Sequence, residues 1–324
     1  MKTIGIALLL LTGAVPCMVQ AQSPAPYPAR LVRVIVAGTP GGTSDAVGRA
    51  LANGLAERWK SSVVVENQSG ASGAIAIGMA AKAAPEGYTL HSMGASTLVS
   101  LVVDGAAKRG MNFKTAFSPI THLASQPYVF VIPPTIPAST VKELIAYAKA
   151  NPGKVSFASF GENTSSHLGM ALFAEMSGVE LNHVPYRGTN TILNDLMASR
   201  IQALLGGAMS SMPLVRSGKL RAIAVTSAKR SKLLPDIPAV AETLPGYSID
   251  PWFGLVAPAG TPAGIINQLF KESVQVISDP QLVARFASTG TELVPSASPA
   301  EFKSMLEAEV DRWEKFAANH PPSN

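Results

Sequence analysis

Apolar residues follow two different spacings along this chain, and the two alternate from one segment to the next. Short runs rich in β-branched residues indicate strands at 31–36, 62–66, 89–92, 156–159, 182–185, 201–205 and 220–225. Apolar residues three and four positions apart indicate helices at 44–59, 73–83, 140–150, 165–177, 189–198 and 263–278, and a last helix after position 298. Strands that alternate with helices in this way predict an α/β fold with parallel sheets.

Two punctuated stretches, 126–137 and 245–251, divide this pattern. The first leaves one α/β block and the second returns to it, so the chain would cross twice between two lobes. We therefore expect one domain from 22–124 together with 251–324, and a second domain from 125–250. A two-strand hinge would join them, with a ligand cleft between the lobes.

The N-terminus has the three parts of a secretory signal peptide. Lys2 precedes a short apolar run, and small residues end the segment at Ala21, so we expect cleavage of 1–21. The single cysteine, Cys17, lies inside this segment, and the proline before it disfavours a lipoprotein anchor. The mature chain would carry no thiol and no disulfide, and the periplasm is the expected compartment.

Composition narrows the classes of function. The chain has 324 residues, of which 47% are hydrophobic and 15% are charged, which excludes a disordered chain. The formal net charge is +5, but the basic residues are scattered, and the longest cluster, 229–232, has no interleaved aromatic residue. Nucleic-acid binding is therefore disfavoured, while a weakly positive field would attract small anions.

The first candidate ligand-binding loop lies between the first predicted strand and the first predicted helix. Its candidate residues are Gly38, Thr39, Gly41, Gly42, Thr43 and Ser44. The glycines permit close approach of a ligand to the backbone, and the hydroxyls lie at the positive end of a helix dipole. This arrangement binds an anion, but a tight turn with a helix cap explains the same residues equally well. The loop matches neither a dinucleotide fingerprint nor a P-loop.

A second loop of this kind follows the predicted strand at 156–159 and opens the helix at 165–177. Its candidate residues are Ser159, Phe160, Thr164, Ser165 and Ser166. A helix cap uses one or two hydroxyls and this loop offers more, which favours an anion site over a cap alone. Two such loops, one on each lobe, would hold a ligand from both sides.

Weaker candidates for the cleft are Ser96, Thr97, Tyr186 and Arg187. Ser96 and Thr97 follow a predicted strand, where they would line the cleft or cap a helix. Arg187 would bind a carboxylate through two hydrogen bonds, although a single arginine more often forms a solvated or structural ion pair. Trp252 opens a predicted strand and would pack in the core or form the floor of a pocket.

No catalytic signature is present in the sequence. It contains neither a G-x-S-x-G elbow nor an H-E-x-x-H motif, and its five histidines are dispersed. Ser166 and His167 are neighbours, but adjacent residues on a helix do not face each other. Distant residues could still assemble a Ser–His–Asp site. We predict no enzyme activity, no catalytic residue, no metal site and no organic cofactor.

Short motifs along nearly the whole mature chain follow the order and spacing of one known family. They are Pro40-Gly41-Gly42, Val65-Glu66-Asn67 and the segments 84–90, 164–168, 183–188, 224–230, 234–238, 252–255 and 257–262. On these residues the chain resembles the receptor family of tripartite tricarboxylate transporters, also called the Bug family of periplasmic solute-binding proteins.

The resemblance implies a two-lobed periplasmic-binding-protein fold of type II-like form that closes around a small ligand as a monomer. It implies a carboxylate ligand and delivery to a membrane permease with a large and a small subunit. In the family a carboxylate is held by the two loops, which here correspond to Gly41, Gly42, Thr43 and Ser44 on one lobe and Thr164, Ser165 and Ser166 on the other.

Two departures from the family pattern bear on the ligand. Gly38 stands where an aromatic residue often packs over the ligand, and Gly206 lies in a segment where an acidic residue near the cleft is common. Less bulk at both positions predicts a roomier pocket. The missing acid disfavours a ligand with an ammonium group, so we expect an amine-free carboxylate, with aromatic carboxylates and dicarboxylates as the candidates.

Two other functions remain open on the sequence alone. The same closed receptor would serve equally as the ligand-sensing partner of a two-component sensor kinase. A secreted hydrolase is the remote alternative, and it would need a Ser–His site that no motif marks.

Overall fold

The computed structural model describes residues 27–105 and 110–319. The predicted signal peptide, 1–21, lies outside the described residues. The described chain forms two mixed sheets with helices packed against them. No helix within it is both long enough and apolar enough to cross a membrane.

The chain builds its elements in three consecutive parts. The first part consists of β1 (Val32–Ala37), α1 (Thr43–Trp59), β2 (Val63–Gln68), α2 (Ala74–Ala81), β3 (Thr89–Gly94), α3 (Ala95–Val103), α4 (Phe113–Ala116) and β4 (Phe117–Ser125). The second consists of β5 (Tyr128–Ile132), α5 (Val141–Ala150), β6 (Ser156–Ser159), α6 (Ser165–Ser177), β7 (Asn182–Pro185), α7 (Thr189–Met197), β8 (Ala203–Gly207), α8 (Ala208–Arg216) and β9 (Arg221–Val225). The third consists of β10 (Trp252–Pro258), α9 (Ala263–Ile277), α10 (Pro280–Ala287), β11 (Glu292–Leu293) and α11 (Pro299–Asn319).

Each lobe is built on one sheet. The first lobe has the strand order β11-β4-β10-β3-β1-β2 and the second lobe has the order β7-β6-β8-β5-β9. The expectation of parallel sheets holds for β1 with β2 and β3, and for β6 with β7 and β8. It is wrong for β10 and β5, which run antiparallel to both neighbours, and for β11, which runs antiparallel to β4. Each of the strands β10 and β5 enters its sheet from the other lobe and therefore runs against the βαβ direction.

The predicted helix at 140–150 is confirmed as α5, and Thr140 is its N-cap. The Thr140 hydroxyl accepts a hydrogen bond from the Glu143 amide at 3.2 Å, and the Glu143 carboxylate accepts one from the Ser139 amide at 2.6 Å. The Thr140 bond satisfies an amide that the first helical turn leaves free, and the Glu143 bond holds the residue before the N-cap. The apolar stripe of Val141 and Leu144 is buried against the second sheet, as its spacing predicts.

The sequence pattern suggested that the whole stretch 126–137 crosses between the lobes, but part of it is a strand. Tyr128–Ile132 forms β5, and each of its residues is buried. A strand buried on both faces shows no alternation of apolar and polar positions, so its pattern gave no strand signal. The crossing itself is short, and the Gln126 amide donates to the Pro251 carbonyl at 3.1 Å, which places the two crossings side by side.

The two lobes touch across the cleft. The hydroxyls of Ser72 and Ser100 in the first lobe donate to the Glu162 carbonyl in the second lobe, at 3.2 and 3.0 Å. Nearby, the Asn163 side-chain amide donates to the Asp104 carboxylate at 2.5 Å. These bonds join the lobes in a closed arrangement.

Candidate functional site

A cavity of about 480 Å³ lies between the lobes. Its volume falls within the range of roughly 300–1,000 Å³ that is usual for small-molecule pockets. The first lobe contributes the loop before α1, the turn before α2 and the start of α3, and the second contributes the loops before α6, α7 and α8. Both crossings also reach the wall, through Gln126 and Pro251.

Six helices begin at the wall of this cavity, namely α1, α2, α3, α6, α7 and α8. No side chain of the described residues caps any of these six N-termini. The first turn of a helix leaves amide N–H groups without intrahelical partners, and the dipole makes that end positive. The cavity is therefore surrounded by positive helix ends whose N–H groups are available to an anion.

Most helices outside the cavity have a side-chain cap at the N-terminus. The side chains of Asn112, Thr140 and Asp279 cap α4, α5 and α10, and the Ser298 hydroxyl accepts from the first turn of α11. Of the described helices outside the cavity, α9 alone starts without a side-chain cap, after Pro262. Missing caps therefore concentrate at the cleft, which favours a ligand over chance as their cause.

The loop before α1 is held in place by Asp45 in the first helical turn. The Asp45 carboxylate accepts hydrogen bonds from the Gly41 amide at 3.0 Å, the Asn67 side chain at 2.9 Å and Arg49. Burial alone would raise the pKa of Asp45, but these donors outweigh it and the pKa lies below its ordinary value. Gly42 is the N-cap of α1, so the Thr43 and Ser44 hydroxyls are not the cap, and both residues line the cavity.

The hydroxyl-rich loop before α6 uses most of its hydroxyls internally. Ser159 donates to the Gly161 carbonyl at 2.9 Å, and Ser166 accepts from the Phe160 amide at 3.2 Å. The Ser165 hydroxyl is 2.9 Å from the Tyr128 hydroxyl and is buried. These bonds account for the excess of hydroxyls over one cap. Phe160 and Thr164 of the same loop lie in the cavity wall, and the anion site there stays a prediction.

The electrostatics of the cavity wall are simple. Arg187 is the one charged side chain among the lining residues that the structure describes, and no lining residue is acidic. Three polar atoms of wall residues, Thr43 Oγ1, Ser96 Oγ and Trp252 Nε1, are buried without a hydrogen-bond partner in the described chain. Such atoms are costly to bury unpaired.

Comparison with known proteins assigns the chain to a family. Residues 47–319 match the family model described as the tripartite tricarboxylate transporter family receptor. The chain belongs to this family. A relative, the protein BugT of Bordetella pertussis, is 32% identical over 311 residues, covering 95% of this chain and 94% of BugT. The resemblance inferred from the short motifs is confirmed.

Solved structures support the two-lobed receptor fold. R. palustris Rpa4515 with adipate has a TM-score of 0.83 and 32% identity, covering 90% of this receptor and 97% of that chain. MatC from Rhodopseudomonas palustris with bound malate has a TM-score of 0.83 and 26% identity, covering 90% of this receptor and all of that chain. Another match, a periplasmic binding protein named BugD, has a TM-score of 0.84 and 32% identity. Receptors of this family are therefore periplasmic solute-binding proteins, and two relatives hold small carboxylates.

Most residues that the sequence marked as ligand-binding lie in the wall of the receptor's cavity. They are Gly38, Thr39, Gly42, Thr43, Ser44, Ser96, Thr97, Phe160, Thr164, Tyr186 and Arg187. Others of that set, Gly41, Ser159, Ser165, Ser166 and Gly206, are not in the wall. A Cβ at Gly206 would lie 2.4 Å from Ser211 Oγ, so this glycine permits close packing inside the second lobe and adds no room to the pocket.

The receptor's cavity also has a wall segment that sequence reasoning missed. Gly70, Ala71, Ser72 and Gly73 all lie in the cavity wall, and all four have positive φ. Left-handed backbone at two non-glycine residues in succession is uncommon and clusters at binding sites. The Gly-Ala-Ser-Gly sequence between a strand and a helix was the available signal. The remaining missed residues are Ala37, Gly94, Ala95, Gln126, Tyr128, Gly161, Pro185, Gly188, Thr189, Gly207, Ser210, Pro251 and Phe253.

Proposed function

We propose that this protein captures an amine-free carboxylate in the periplasm and delivers it to the membrane permease of a tripartite tricarboxylate transporter. The observation that carries the proposal is the convergence of six uncapped helix N-termini on one cavity. A carboxylate accepts hydrogen bonds from such N–H groups and gains from the positive helix ends.

The remaining wall residues narrow the ligand class. An ammonium group on the ligand would lose its hydration in the cavity and find no carboxylate to pair with, because the described wall contains no acidic side chain. Burying an unpaired charge in this way costs binding free energy. Phe160, Tyr128 and Trp252 offer apolar faces to a carbon skeleton. We therefore favour aromatic carboxylates and dicarboxylates over acidic amino acids. The adipate and malate of the relatives are consistent with this class.

Binding would act through closure of the two lobes. In our proposal the domain 22–124 with 251–324 closes onto the domain 125–250, and the ligand contacts both. Because the ligand has all its contacts only in the closed state, it shifts the population toward closure. The closed monomer is the form that the large and small permease subunits would recognise, and cleavage of the signal peptide at Ala21 would place it in the periplasm.

A ligand screen tests the proposed class. Residues 22–324 would be unfolded in denaturant, refolded free of co-purified ligand, and melted with citrate, malate, adipate, benzoate, terephthalate, nicotinate, aspartate and glutamate. A ligand that binds only the folded state stabilises it by about 2.7 kcal/mol at a hundredfold excess over its Kd, a shift of several degrees. We expect at least one amine-free carboxylate to give that shift. Preference for aspartate or glutamate would contradict the amine-free class, and no shift with any carboxylate would contradict the proposed function.

Removing the cation of the wall should weaken binding moderately. Arg187 is exposed at the edge of the cavity, so water screens its attraction for a carboxylate. We expect Arg187→Gln to raise the Kd of the ligand found in the screen about tenfold, equivalent to about 1.4 kcal/mol, and the difference to shrink at high salt. Isothermal titration at two salt concentrations measures both effects.

Arg230→Gln is the matched control, because it removes the same charge from the second lobe at a site outside the wall. Equal Kd changes in the two variants would show that Arg187 acts only through net charge.

A further inference from the structure

A cluster of three ligating side chains lies behind the loop that precedes α6. Glu162 belongs to the loop, His167 to α6 and His183 to β7, and none of them lines the cavity. One ligating atom from each lies within 4.8 Å of the other two. His183 Nδ1 is 3.4 Å from one Glu162 carboxylate oxygen, and His167 Nδ1 is 3.8 Å from the other.

The two imidazole rings stack with centroids 3.9 Å apart and planes 11° apart, and His183 stacks in turn on Phe157 at 4.9 Å. Because an imidazole nitrogen binds an ion in the plane of its ring, one ring turns out of this stack when both bind the same ion. His183 Nε2 is 2.6 Å from the Ser159 hydroxyl, which leaves Nδ1 directed at Glu162. A hydrogen bond to the nitrogen remote from the metal is the usual support of a histidine ligand.

We propose that Glu162, His167 and His183 form a binding site for a divalent transition-metal ion of the zinc class. Two imidazoles and one carboxylate are a donor set that zinc accepts, with a fourth position left to water. The sequence predicted no metal site, because the three residues are separated along the chain and match no metal motif.

The accessibility of the cluster suits such an ion. The Glu162 side chain is 61% exposed and gives the ion a path from solvent. His167 Nδ1 accepts the Asn163 amide at 3.0 Å, so metal binding at this nitrogen replaces one hydrogen bond.

The position of the cluster couples the ion to closure. The Glu162 carbonyl accepts the hydroxyls of Ser72 and Ser100 from the other lobe, so the same residue holds the ion and joins the lobes. An ion that fixes the Glu162 loop in this conformation favours the closed state, and coupling of this kind is reciprocal. The coupling rests on the proposed function, whereas the metal site does not.

Zinc titration of the chelator-treated protein, residues 22–324, tests the site without any carboxylate. We expect one equivalent of Zn²⁺ to bind and to raise the melting temperature, with no effect of Mg²⁺. Glu162→Gln should weaken zinc binding about tenfold or more, and His183→Gln should abolish it. Because the Glu162 side chain is exposed and makes no hydrogen bond within the described chain, its variant keeps the test valid if His183→Gln fails to fold.

Glu180→Gln serves as the control, since this exposed carboxylate of the second lobe lies outside the cluster and should leave zinc binding unchanged. Absence of zinc binding by the wild-type protein, or equal affinity in Glu162→Gln, would overturn the site. Zinc binding with the expected variant effects but no tighter binding of the carboxylate would overturn only the coupling. A negative carboxylate screen with a positive zinc titration would overturn the proposed function and leave the metal site standing.

Discussion

Gly188→Leu is expected to abolish ligand binding without unfolding the protein. Gly188 lies in the cavity wall, and a Cβ there would be 2.7 Å from Thr39 Oγ1 on the opposite lobe. Its φ of −163° is extended, so leucine adopts the same backbone without strain. The leucine side chain therefore clashes with Thr39 only in the closed arrangement, and it has room when the lobes separate.

The size of this effect follows from the closure equilibrium. A wedge that disfavours the closed state a hundredfold raises the apparent Kd by about the same factor. We expect the Kd to rise about a hundredfold in isothermal titration, with the melting temperature of the free protein nearly unchanged. Small-angle scattering should show the variant remaining open at a ligand concentration that closes the wild-type protein.

Gly264→Leu is the matched control for this wedge. It places the same side chain near the start of α9, where a Cβ meets nothing within 4 Å. Its Kd should equal that of the wild-type protein. Wild-type affinity in Gly188→Leu would contradict closure at this contact, and equal losses in both variants would indicate a general effect of leucine on the fold.

The contact between Gly188 and Thr39 shows why the sequence predicted the loops of the site but not all of its residues. Glycine and hydroxyl residues after a strand mark a loop locally, and this signal located Gly42, Thr43 and Thr164 in the wall. Gly188 and Gly207 carry the same local signal as any turn glycine. Their role is visible only when the other lobe is in place, at Thr39 and Thr43.

For a related reason, a count of hydroxyls does not show which of them reach the cavity. Ser165 and Ser166 have the composition of an anion loop, yet their partners are Tyr128, Phe160 and Thr164 within their own lobe. The more informative property is the missing cap at each cavity-facing helix. It depends on where helices begin, to within one residue, which periodicity does not resolve. The convergence of six such ends also depends on sheet order, which the alternation of strands and helices does not specify.

Acidification from pH 6.5 to pH 4 is expected to destabilise the first lobe through His91. This residue is fully buried in β3, and its Nδ1 donates to the Ile35 carbonyl at 3.0 Å. Burial lowers its pKa from 6.5 to about 4. Between pH 6.5 and pH 4, His91 is protonated in the unfolded chain and neutral in the folded chain. The free energy of unfolding therefore falls as the pH falls. Above pH 6.5 and below pH 4 this residue contributes no further change.

A shift of this size amounts to about 3 kcal/mol across that interval. His122, His167 and His183 also have lowered pKa values and act in the same direction, so the wild-type profile alone does not isolate His91. His91→Gln removes the titration and keeps an amide donor for the Ile35 carbonyl. Urea unfolding at pH 4.5 to 7.5 should show the wild-type protein losing stability more steeply than the variant. Parallel profiles would mean that His91 is protonated in the folded state at its ordinary pKa, which would contradict its burial without a counter-charge.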